Sequence, residues 1–126
     1  EVALLASVGV RHVKVYRKPL VGVLSSGNEV LEHIHTDSLK PGQIRDTNRL
    51  SLLAAVRNAG FEATDLGIVS DNVDDIHEAL EEALSRVDVL ITTGGVSMGK
   101  ADLMKPILEQ KLDASIRFGR VFMKPG

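Results

Sequence analysis

VDVLITTGGVSMGKAD, residues Val87 to Asp102, couples an apolar run to a glycine-rich turn. Val87, Val89, Leu90 and Ile91 are mostly β-branched and nearly continuous, the pattern of a central strand buried on both faces. The run stops at Thr92, Thr93, Gly94, Gly95, Ser97 and Gly99, small residues that let a backbone turn sharply and approach a ligand, and a helical pattern resumes over Leu103 to Gln110. Backbone N–H groups at such a turn and at the next helix N-terminus favour an anion, with hydroxyls as further donors. A strand–glycine–helix turn is also how α/β proteins ordinarily change direction. Neither familiar phosphate-loop spacing is met, because GK[ST] is absent and Gly-Gly-x-x-x-Gly is not Gly-x-Gly-x-x-Gly.

The 126 residues suffice for one domain with a real core. The chain has no cysteine, which excludes disulfides, thiolate metal sites and cysteine nucleophiles and makes a reducing, cytoplasmic location the expectation. A net charge of −2 and four aromatic residues, three Phe and one Tyr, argue against a nucleic-acid platform. The apolar runs are too short to span a bilayer, so the protein is not expected to be transmembrane. Val2 to Val10 lacks the basic flank and cleavage site of a signal peptide.

Outward from the central run, Glu1 to Val10 resembles the last turns of a helix ended by Gly9, and Arg11 to Pro19 a strand or linker leading into the domain. Leu20 to Leu24 is a buried strand followed by Ser25-Ser26-Gly27-Asn28-Glu29. Val30 to Gln43 is a polar connection turning at Pro41-Gly42. His33 and His35 lie in it without a third ligand nearby, and are expected to be solvated rather than metal-bound. Asp46 or Thr47 suits the N-cap of a helix from Asn48 to Ala59 that Gly60 ends, and capping is the stronger explanation of Asp46 from the residues alone. Phe61 to Val69 is a strand. Asn72 caps a helix with Ile76, Ala79, Leu80, Ala83 and Leu84 on one face and Asp74, Asp75, Glu78, Glu81 and Glu82 on the other. Pro106 belongs in the first turn of the next helix, and Ser115 to Met123 is expected to supply a last strand.

The order β-α-β-α-β-α-β implies a three-layer α/β/α sandwich around a mostly parallel sheet. Ligands in such sheets bind beyond the carboxyl ends of the strands, where Ser25 to Glu29, Arg45 to Asn48, Ser70 to Asn72, Thr92 to Asp102 and Lys124 to Gly126 should converge. Glycine N–H groups, hydroxyls and Lys124 welcome phosphate, whereas Glu29, Asp46 and Asp102 repel it. A divalent cation such as Mg²⁺ reconciles the two, since it binds one or two carboxylates together with phosphate oxygens.

These motifs resemble the molybdopterin-binding domain of the MoeA and gephyrin E-domain family, of MogA/MoaB-like fold. The resemblance rests on Ser25 to Glu29, Gly42 to Arg49, Leu66 to Val69, Thr93 to Gly99 with Asp102, and Phe118 to Gly126, several phrases being most like animal gephyrin-type proteins. It implies molybdenum cofactor biosynthesis: molybdate is inserted into the dithiolene of molybdopterin, with consumption of adenylylated molybdopterin and with Mg²⁺ or a similar ion (molybdopterin molybdotransferase). Carried over by motif, Glu29, Asp46 and Asp102 are the catalytic acids, with Glu29 and Asp102 holding the metal. Ser25, Ser26, Gly27, Asn48, Gly94, Gly95, Val96, Ser97, Lys124 and Pro125 bind substrate. The resemblance also implies residues 1–19 as a helix tail and linker, residues 20–126 as the molybdopterin-binding domain of a longer protein, and a homodimer in that full-length protein. Ser25-Ser26-Gly27 departs mildly from the family's Ser-Thr-Gly. The alternative it implies is a gephyrin-type scaffold that binds receptor peptides and anchors inhibitory neurotransmitter receptors.

Overall fold

A computed structural model describes residues 1–34, 38–95, 103–119 and 121. A short helix, α1 (Val2–Ser7), and an exposed linker lead to β1 (Leu20–Ser26). There follow β2 (Val30–Leu31), β3 (Ile44–Arg45), α2 (Asn48–Asn58), β4 (Glu62–Val69), α3 (Val73–Arg86), β5 (Val89–Thr93) and α4 (Met104–Gln110).

Three parallel strands form the main sheet in the order β4-β1-β5. The chain crosses from β1 to β4 and back past β1 to β5. Right-handed crossovers in opposite directions put α2 on one face and α3 on the other, giving the expected α/β/α layering. Alternation along β1 sends Leu24 to the α3 face, where it joins Val69, Ile76, Leu80, Met104 and Ile107 in the main cluster. Asn72 caps α3 as expected, its Oδ1 accepting the N–H groups of Asp74 and Asp75. Because Leu80 is completely buried in that cluster, Leu80→Ala is expected to cost about 2–5 kcal/mol, measured as a lowered denaturation midpoint with an unchanged slope.

Four expectations are corrected. The central strand is β1, paired on both sides and buried from Val21 to Ser26. The run in β5 instead flanks β1 and leaves Val89 43% exposed. An apolar run signals partial burial but not position in a sheet, and Val87 is buried as the extended residue that ends α3, before the strand begins. The connection after β1 is not wholly irregular, since β2 and β3 form a two-residue parallel ladder. Leu84 is half exposed rather than on the core face, because α3 turns only the stripe through Ile76, Leu80 and Ala83 fully inward. Finally, no strand runs through 115–119, where Phe118 stands exposed without a pairing edge; the rest of that expected strand, Val121 apart, lies outside the described residues. Among the described residues, no helix is long and apolar enough to cross a membrane.

Candidate functional site

β1 and β5 end side by side, which forces the turns that follow them together. Ser25 Oγ and Thr93 Oγ1 are 2.8 Å apart, and Ser26 Oγ donates to Thr93 O at 3.4 Å. Gly94 crosses this junction at φ +84°, and a Cβ there would lie 2.5 Å from Ser26 O. The close approach and the left-handed backbone both require glycine. Gly27, at φ +139°, leaves room for the Glu29 carboxylate, whose Oε2 would stand 2.7 Å from a Cβ. The short β2–β3 ladder, with Ile44 N donating to Glu29 O at 2.8 Å and Asp46 N to Leu31 O at 2.8 Å, draws the third loop alongside.

The result is a cleft of about 140 Å³ bordered by Ser26, Glu29, Asp46, Asn48, Thr93 and Gly94, with Val30, Ile44, Arg45 and Thr47. Five residues expected to act together, Ser26, Glu29, Asp46, Asn48 and Gly94, therefore share one wall system. Ser25 stands behind it, fully buried and hydrogen-bonded inward, and Gly95 packs near Ser26 Oγ and Met104. Val96, Ser97, Asp102, Lys124 and Pro125, like His35, lie outside the described residues.

A larger groove of about 970 Å³ opens at the opposite end of the sheet, between Arg17, Lys18, Phe61, Arg86 and Asp88. Most of its charged groups are already engaged. Arg17 makes two bonds of 2.5 Å to Asp88, holding that exposed carboxyl at about 2 with help from Leu20 N–H, and Lys18 donates to Gly60 O. It also lies at the amino ends of the strands, away from where such sheets bind ligands.

Asp46 carries the cleft's electrostatics. Burial pushes its carboxyl up, but hydrogen bonds from Ser25, from the backbone N–H of Arg49 and from the Arg49 guanidinium outweigh it and hold the group below its ordinary value. Arg49 Nε lies 2.9 Å from Asp46 Oδ2, while Arg49 N–H donates to Oδ1 at 3.1 Å, the bond of an N-cap displaced by one residue from Thr47. Glu29 is exposed beside it. Among the described residues no group of three or more His, Asp or Glu side chains is placed to hold a metal ion.

Sequence reasoning missed four participants. Thr93 was part of the turn but not among the ligand residues. Arg49 had only the i, i+3 spacing from Asp46 as a signal. Asn28 and Asp71 exchange reciprocal bonds, Asn28 N to Asp71 Oδ2 at 3.2 Å and Asp71 N to Asn28 Oδ1 at 3.1 Å, fastening the loops after β1 and β4.

Residues 22–126 match the family model described as "Probable molybdopterin binding domain". The chain is 44% identical over 124 residues to the molybdopterin molybdenumtransferase of Bacillus subtilis, covering 98% of this chain and 28% of that protein. It is 36% identical over 136 residues to gephyrin of Dictyostelium discoideum, covering all of this chain and 19% of that one. Its fold is similar to that of the molybdopterin biosynthesis MoeA protein from Pyrococcus horikoshii, with a TM-score of 0.64 at 38% identity over 85% of this chain and 26% of that chain. The chain thus spans less than a third of the length of these relatives.

Proposed function

Because the chain belongs to the family of molybdopterin-binding domains, we propose that the cleft beyond β1 and β5 binds molybdopterin, free or adenylylated. Within a longer, homodimeric protein of the cytoplasm it then serves insertion of molybdate into the pterin dithiolene. The observation that carries this reading is the junction of Gly94 with Ser26, which lets backbone approach a ligand beside the exposed carboxylate of Glu29. The sulfur ligands of molybdate belong to the pterin, so a chain without cysteine suits the chemistry.

The donors present fit Mg²⁺, which keeps several waters and needs only one or two carboxylates together with substrate phosphates. Glu29 is the described carboxylate open to it, with Asp102 as the proposed second. Bound there, the ion supplies charge neutralisation at phosphate oxygens. Asp46 contributes negative potential and shape to the wall. Ser26, Asn48 and Gly94 face the ligand, joined in this proposal by Gly95, Val96, Ser97, Lys124 and Pro125, while Ser25 and Gly27 shape the floor. A receptor-anchoring scaffold is the weaker reading, since the identity to gephyrin is 36% against 44% to the transferase.

Anaerobic titration with molybdopterin and its adenylylated form, with Mg²⁺ and with chelator, tests the assignment. The adenylylated ligand is expected to bind roughly tenfold more weakly without Mg²⁺, a difference of about 1.4 kcal/mol. Glu29→Gln should remove most of that dependence. Equal metal dependence in the variant and the parent chain would displace the cation from Glu29.

A further inference from the structure

The cleft wall that carries Glu29 rests on very little backbone. β2 and β3 form a ladder of two residues each, separate from the main sheet, with backbone bonds of 2.8 Å from Ile44 N to Glu29 O and from Asp46 N to Leu31 O. A two-stranded ribbon of that size has little stability of its own. Each strand runs directly into a carboxylate, Glu32 after β2 and Asp46 after β3. Arg49, in the first turn of α2 and 2% exposed, reaches both. Its Nη2 donates to Glu32 Oε2 at 2.5 Å and its Nε to Asp46 Oδ2 at 2.9 Å, while Nη1 donates to Asp65 Oδ1 in β4. The sheet itself aims Asp65 there. Between the pairs Val23–Asp65 and Ser25–Ile68, β4 carries one residue more than β1, a bulge of the kind that re-aims side chains. At that bulge Gly67, at φ +80°, donates its N–H to Asp65 Oδ1 at 2.9 Å. Each arm of the guanidinium therefore holds a different segment.

We propose that Arg49 is a positioning residue for the cleft: it locks the β2–β3 ladder to the main sheet through β4, and so fixes the separation between the wall bearing Glu29 and the wall bearing Ser26, Thr93 and Gly94. Both walls line one cleft, but the first belongs to the ladder and the second to the ends of β1 and β5. Without the clasp, Glu29 keeps its backbone bond to Ile44 and shifts with the ladder, which takes its carboxylate from the place where a cation beside the ligand needs it. The consequence for molybdopterin rests on the function proposed above, whereas the clasp itself does not. Lysine cannot substitute, because a compact ammonium lacks the planar fork that spans three carboxylates.

The test compares Arg49→Lys, Glu32→Ala and Leu80→Ala with the parent chain, following amide hydrogen exchange without ligand and the affinity for molybdopterin. Glu32 has a side chain 45% exposed and does not line the cleft, so its removal cuts one arm of the clasp and spares the core. Leu80→Ala is the control, since it loosens the main cluster and leaves the clasp intact. In Arg49→Lys the N–H groups of Ile44 and Asp46 are expected to exchange roughly tenfold faster, by local opening of the ladder, and binding to weaken roughly tenfold. Glu32→Ala should move both readings in the same direction. Leu80→Ala should speed exchange in the core and leave Ile44, Asp46 and the affinity near their parent values. Unchanged exchange at Ile44 and Asp46 in Arg49→Lys, an equal rise there in Leu80→Ala, or faster exchange with unchanged affinity overturns the proposal. If Arg49→Lys does not fold, Glu32→Ala decides by the same readings. Should the parent chain bind no molybdopterin, the functional reading fails, while the exchange at Ile44 and Asp46 still decides the clasp.

Discussion

Replacing Gly94 by alanine is expected to destabilise the chain by about 2–5 kcal/mol and to abolish molybdopterin binding. Two independent costs add. Left-handed backbone disfavours a side chain by about 1–2 kcal/mol, and Gly94 sits at φ +84°. Overpacking adds about 1–3 kcal/mol, because the new Cβ would lie 2.5 Å from Ser26 O, a backbone atom that cannot rotate away. The only relief is to separate the turns after β1 and β5, which opens the cleft. Gly9→Ala is the control: φ is +72°, but nothing lies within 4 Å. It should cost only the backbone share, about 1–2 kcal/mol, and leave binding intact. Thermal unfolding and ligand titration of both variants check the contrast, and equal losses would contradict it.

Arg49→Leu is expected to cost about 3–5 kcal/mol at neutral pH, since removing one partner leaves a buried charge without compensation. The loss falls mainly on Asp46, because Glu32 and Asp65 are nearly half exposed and recover solvation. The pH dependence has a definite sign. In the parent chain the Asp46 carboxyl is held below its ordinary value of 3.8, so its contribution is fully present above that value and is lost as pH falls through the lower, folded one. Without the guanidinium, two of the contributions that hold the carboxyl down are lost and the folded value rises. The variant then loses less stability than the parent chain as acid protonates Asp46. The stability gap between the two should narrow from pH 7 to about pH 4, as read from urea midpoints. A constant gap would show that Arg49 acts by packing alone.

Local signals carried over from sequence to structure. The cap at Asn72, the stripe Ile76, Leu80 and Ala83, and the pattern of strands ending in small polar residues are all written within a few positions of one another. Parallel pairing then brought Ser26, Glu29, Asp46, Asn48 and Gly94 to one edge, as the alternation of strands and helices implied. What failed depended on distant partners. LVGVL and VDVLI are both apolar runs, and only pairing on two sides makes β1 the centre. β2 and β3 are two residues each, too short to show alternation. Arg49 looked like an ordinary polar position of α2; its burial follows from Glu32 and Asp65, 17 residues before it and 16 after it. Leu84 falls at helical spacing yet lies beyond the stripe that the sheet and α4 cover.

The most direct test of the cleft as a molybdopterin site is an amide chemical-shift map of the chain titrated anaerobically with molybdopterin. The structure predicts saturable shifts concentrated at Ser26, Glu29, Asp46, Asn48, Thr93 and Gly94, with the groove around Arg17, Phe61 and Arg86 unmoved. Shifts centred on that groove, or none at saturating ligand, would contradict the account.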